Sequence, residues 1–244
     1  FDLHGWRVAL LVTAAVGLLW VPIWILVTSR PAVRARIDHV VDHTTPRPRV
    51  SELIRHPIMM RALIGIFAAA PVIGLMLAWG AKYLDTTWGI KQKDVGHYLW
   101  LPPLMFDAGA ILFGDLASRL KRPPGEPARG LYAIAMLLAM AIAALPFATT
   151  PWIGIAIIGA SVVGSGGLYA ICTSDLLARM PSECVSTASG IVAGAQSVAL
   201  IALGPLIGAV VGHYGHYDGV AIGVGLWALP GCLIWIFWKP AAKF

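Results

Sequence analysis

The chain has 244 residues, 58% of them hydrophobic and 12% charged, with a formal net charge of +6. Soluble domains carry about 25% charged residues. This composition, with a mean hydropathy of +0.77, therefore excludes an ordinary soluble domain and describes an all-α membrane protein. The positive balance comes without a basic patch interleaved with aromatics, so the expected partner is the lipid bilayer and not nucleic acid.

In chain order, apolar runs occupy 7–28, 62–81, 96–118, 130–149, 152–174, 187–211 and 219–238, about seven transmembrane helices. Each is long enough to cross a core of about 30 Å at 1.5 Å per residue. They are continuous and not alternating, which argues against outer-membrane strands. The chain starts at Phe1, and FDLHGWR reads as the tail of a loop, so a native N-terminus upstream is expected.

Between the first two runs lies the longest polar segment, 29–61. It carries Arg30, Arg34, Arg36, Arg47, Arg49, Arg55 and Arg61. With Arg119, Lys121, Arg122, Arg129, Arg179, Lys239 and Lys243, fourteen basic residues fall on one side. Arg7, Lys82, Lys91 and Lys93 fall on the other. The positive-inside rule then makes the richer side, with the C-terminus, cytoplasmic. A multi-pass protein of the cell inner (plasma) membrane is the expectation. Segment 29–61 reads as a basic cytoplasmic loop separating the helix of 1–28 from a six-helix bundle over 62–244, and Ser51 with Glu52 predicts a short amphipathic helix within it.

Polar residues inside the runs are the site candidates. A carboxylate at the bilayer centre costs about 2.5–3.5 kcal/mol on insertion scales, so such groups face water or a partner. Asp107, in the middle of the third run, has two readings: a cavity-lining coupling or gating group, or a carboxylate that is structurally paired or shallow. Asp115 stands four residues before Arg119, a spacing that offers an ion pair on one helix face, read either as a gating latch or as plain structure. Trp79, Lys82 and Tyr83 cluster near the end of the second run, with Trp79 and Tyr83 four apart and expected on one face. They form either an aromatic belt with a snorkelling lysine or a wall for an anionic substrate. Tyr169, Gln196 and Ser197 are polar positions that either bond between helices or line a cavity. The Gly-rich fifth and sixth runs suit close helix contact and rocking.

Cys172, Cys184 and Cys232 show no disulfide or metal spacing. No phosphate-cradling loop, zinc motif or serine-nucleophile motif occurs, so the expectation is a non-enzyme without a cofactor.

Four stretches carry a family likeness. GWRVALLVTAAVGLLWVPIWILV resembles the sixth helix of a major facilitator superfamily transporter, and AWGAKYL the W-x-P-x-Y-L pattern of the seventh helix in its anion:cation symporter branch. LWLPPLMFDAGAILFGDLASRLKR resembles the eighth helix and the basic loop after it, as in the hexuronate-transporter-like members. ARMPSECVSTASGIVAGAQSVALIALGPLIG resembles the eleventh helix with its preceding loop. Two positions depart: Ala81 stands where the pattern has proline, and Ser118 where many members have the loop aspartate.

The resemblance implies helices six to twelve of a twelve-helix fold, so that 1–28 is the last helix of an N-terminal bundle otherwise missing. It implies symport of a small organic anion, a sugar acid or other carboxylate, with a proton or sodium as coupling ion, by alternating access. Two other readings stand beside it: a transporter-like membrane solute sensor, and an incomplete fragment without transport activity.

Overall fold

The computed structural model describes residues 5–40, 49–120 and 126–240. Backbone contacts divide the chain into two units, Phe1–Arg47 and Pro48–Phe244. In the first, α1 (Gly5–Thr28) contains Pro22 and is followed by α2 (Pro31–Val40). The hydroxyls of Thr13 and Thr28 in α1 donate to the carbonyls of Ala9 and Trp24, each at 2.8 Å. A hydroxyl satisfied by its own helix can sit in an apolar setting without a further partner.

The second unit begins with α3 (Val50–Arg55), whose Glu52 carboxylate accepts the Arg49 N–H at 3.1 Å. The short helix expected at Ser51–Glu52 is present, with its start satisfied by that carboxylate. The next helix is longer than the sequence suggested. It starts at Pro57 as α4 (Pro57–Gly74), widens into a π-helical turn over Leu75–Trp79, and continues as α5 (Gly80–Trp88). Pro57 at the first position and His56, whose Nδ1 accepts the Ile58 N–H at 3.4 Å, account for the earlier start. Arg61, assigned above to the loop, is thus in the first turns of a helix and 2% exposed.

The remaining elements are α6 (Gly96–Leu99), α7 (Leu101–Arg119), α8 (Arg129–Met140) with a 3₁₀ continuation over Ala141–Phe147, α9 (Pro151–Leu177), α10 (Val185–Tyr214) and α11 (Asp218–Phe237). Seven helical segments in the described residues are long and apolar enough to cross a membrane. This is an all-α, multi-pass membrane protein.

Helix α9 is the centre of the second unit, packed by α7, α8 and α4, while α10 and α11 lie against α4. Its glycines make this possible. A Cβ on Gly164 would fall 2.3 Å from the Ala139 nitrogen of α8, and one on α7's Gly109 would fall 2.3 Å from the Val163 oxygen of α9. Only bare backbone fits at such crossings. In contrast, α7 and α10 bury only narrow stripes, Pro102, Gly109, Phe113 and Ala117 on one and Ala188, Val192, Ala199 and Ile207 on the other. Their other faces, which carry Asp107 and Ser197, are exposed within this unit.

Candidate functional site

Tyr169 of α9 and Gln196 of α10 line one cleft, together with Phe106 of α7, Ser165 of α9 and Ile66 and Ile73 of α4. The Ser165 hydroxyl donates across to the Ala69 carbonyl at 2.9 Å, fixing α9 against α4 at the cleft floor. The cleft holds about 10 Å³ of water-accessible space, on the order of a single water. A sugar-sized ligand would lie over it and not within it.

Trp79 closes the π-helical turn and lines a separate hollow of about 60 Å³ with Leu200, Gly204 and Ile207 of α10. Its ring faces Gly208, where a Cβ would come within 3.3 Å of the indole. Ser197 is exposed on α10, its hydroxyl donating to the Ala193 carbonyl at 3.1 Å. Asp107 is exposed on α7, next to Phe106. Trp79, Tyr169, Gln196, Ser197 and Asp107 therefore belong to the π turn after α4, to α9, to α10 and to α7, and two of them, Tyr169 and Gln196, share a cleft.

The other candidates go elsewhere. Trp79 and Tyr83 meet different neighbours, Trp79 those of α10 and Tyr83 those near Tyr217. Tyr83 is 5% exposed, its ring edge-on to Tyr217 at 5.6 Å, and its oxygen accepts the Trp88 indole N–H at 3.3 Å. Lys82 is exposed and donates to Asp85 at 3.0 Å, a pair that offsets its charge in water. Asp115 and Arg119 form the spacing-predicted ion pair at 2.8 Å, both well exposed at the other end of the bundle.

The most buried charges form a group that sequence reasoning missed. Arg61 Nη1 donates to Asp175 Oδ2 at 2.9 Å, and its Nε donates to the Trp235 carbonyl at 3.0 Å. Its guanidinium lies 4.0 Å from the Trp235 ring centroid. Asp175 Oδ1 accepts from Arg179 Nε at 3.1 Å and Nη2 at 2.9 Å. One carboxylate thus serves two buried guanidinium groups and ties α4, α9 and α11 together. The Asp175–Arg179 half is visible in the sequence as an i, i+4 spacing. The Arg61 half joins residues 114 apart, and no local pattern signals it.

The chain matches the Major Facilitator Superfamily over residues 1–202. It belongs to the Major Facilitator Superfamily. Within the superfamily it is similar to the hexuronate transporter of Escherichia coli (strain K12), 22% identical over 133 residues that cover 49% of this chain and 31% of that protein. It is 23% identical over 256 residues to the probable galactarate/D-glucarate transporter of Bacillus subtilis (strain 168), covering 95% of this chain and 56% of the relative. The D-galactonate transporter of Escherichia coli O6:H1 is 22% identical over 259 residues, 96% of this chain and 60% of that protein. The chain spans between about a third and three-fifths of the length of these superfamily relatives, which are named as transporters and not as enzymes.

Proposed function

We propose that this chain is the C-terminal part of a secondary transporter for small organic anions of the sugar-acid class, working by alternating access. The observation that carries the reading is the Tyr169–Gln196–Phe106 cleft between α9, α10 and α7, in a superfamily member whose similar proteins are named for hexuronate, galactarate and galactonate. A phenol and a carboxamide can bond the hydroxyls and carboxylate of such a ligand, and Phe106 gives its carbon skeleton an apolar surface. On this reading α1 belongs to an N-terminal half that supplies the opposite wall. The basic end is cytoplasmic by the charge rule.

Asp107 is the coupling residue in this scheme. It is the one carboxylate in the middle of α7, and among the described residues it makes no hydrogen bond or ion pair. A carboxylate without a partner can take up a proton or hold sodium in the same place. Trp79 and Ser197 flank the path along α10, and the Asp115–Arg119 pair serves as a latch at the basic end.

Uptake into vesicles carrying the full-length transporter tests this. Labelled galacturonate is expected to accumulate under an imposed proton or sodium gradient, and Asp107→Asn is expected to abolish the dependence on that gradient. Accumulation that follows neither gradient, or a gradient response that survives Asp107→Asn, would sink the coupling assignment.

A further inference from the structure

Helices α10 and α11 both pack on α4 but barely touch each other. Between them is a groove of about 350 Å³, lined by Leu63, Phe67, Ala195, Trp227, Pro230 and Gly231. Its lining is almost wholly apolar. The one polar side-chain group in it, the Trp227 indole N–H, is already given to the Phe67 carbonyl at 3.2 Å. The groove thus asks for hydrocarbon and offers nothing to a sugar acid.

Its depth is set by three helices at once. Leu63 and Phe67 lie six and ten residues inside the start of α4, Ala195 lies ten inside the start of α10, and Gly231 and Trp227 lie six and ten before the end of α11. At 1.5 Å per residue this is about 9–15 Å below one end of the bundle, which is the depth range of an acyl chain in one leaflet of a core about 30 Å thick.

That end is basic. Arg55 closes α3, which packs on both α4 and α10, and Lys239 follows α11. Both are exposed, and neither makes a hydrogen bond or ion pair among the described residues. Two free cations on elements bordering the groove, with an apolar channel one chain-length deep below them, match the two ends of a single molecule.

We propose that the α10–α11 groove holds one acyl chain of an anionic phospholipid whose phosphate is held by Arg55 and Lys239. This inference rests only on the chain being embedded in a membrane and not on the transport reading. The lipid wedges α10 apart from α11 and fills a space that the protein's own side chains leave open.

The test uses the full-length protein in nanodiscs of phosphatidylcholine that contain phosphatidylglycerol brominated along its acyl chains. Trp227 is 43% exposed, and its emission is isolated by subtracting that of Trp227→Phe. Half-quenching is expected at a mole fraction at least about fivefold lower for brominated phosphatidylglycerol than for brominated phosphatidylcholine, the effect of one basic residue near an anionic headgroup. Arg55→Gln with Lys239→Gln should bring the two curves together. Ala195→Phe, which fills the groove, should protect Trp227 from both lipids. The charge pair lies outside the spans, so its result stands even where Ala195→Phe fails to fold. Equal curves for both headgroups in the unsubstituted protein would show ordinary lipid solvation and overturn the proposal. So would absence of Trp227 quenching, which would mean that a protein helix covers the groove.

Discussion

Two buried guanidinium groups, Arg61 and Arg179, share the carboxylate of Asp175, with side chains 2%, 6% and 14% exposed. Removing one member of a buried ion group leaves the others uncompensated, at a cost of about 3–5 kcal/mol. Asp175→Asn is therefore expected to lower the thermal midpoint of the purified protein sharply. Arg119→Gln, which breaks an exposed pair, should change stability by no more than about 1 kcal/mol. A midpoint that moves equally in the two variants would contradict this ranking. Tyr83→Phe removes the acceptor of the Trp88 indole and should cost about 0.5–1.5 kcal/mol, with the proposed sugar-acid uptake unchanged, because Tyr83 faces Tyr217 and not the cleft. At this scale the sequence was legible where partners are close in the chain. The four-residue spacing of Asp115 and Arg119 is realised as an ion pair. It was not legible for Arg61, whose partners Asp175 and Trp235 come from two other helices.

Among the elements, α4 shows why apolar runs place helices better than they bound them. The run from 62 to 81 marks the apolar middle, but hydrogen bonding carries the helix from Pro57 to Trp88. Caps and a π turn decide those limits, and neither leaves a hydropathy signal. The start of α4 is expected to respond to pH. Burial lowers the pKa of His56, and the neutral ring accepts the Ile58 N–H at Nδ1. The folded state therefore binds fewer protons than the unfolded chain, so this contribution is complete above pH about 6.5 and fades as pH falls below it. The thermal midpoint should drop between pH 7.5 and 5.5 by the equivalent of at most about 1 kcal/mol for the cap. His56→Asn keeps a capping acceptor and should flatten that profile. At the crossing of α7 and α9, Gly109→Val should prevent close packing, because its Cβ would meet the Val163 backbone. Loss of the monodisperse protein on size exclusion would report it.

For the whole molecule, seven spans and the family were both legible, since spans rest on composition and the family on stretches quoted directly from the chain. The candidate site is read from the sequence only as a set of polar positions. Tyr169 and Gln196 meet in one cleft, but periodicity alone gave no reason to choose them over Tyr83 or Lys82, since a helical wheel names faces without saying what lies opposite. The exposed faces of α7 and α10 are where a second wall would fit on the alternating-access reading.

The most direct measurement of that reading is equilibrium binding of galacturonate and of galactose to the full-length protein, with and without Gln196→Ala. The account predicts that the acid binds and the neutral sugar does not compete. It also predicts that Gln196→Ala weakens the acid by about tenfold, the loss of one hydrogen bond worth about 1.4 kcal/mol. Equal affinity for the two sugars, or acid binding untouched by Gln196→Ala, would contradict it.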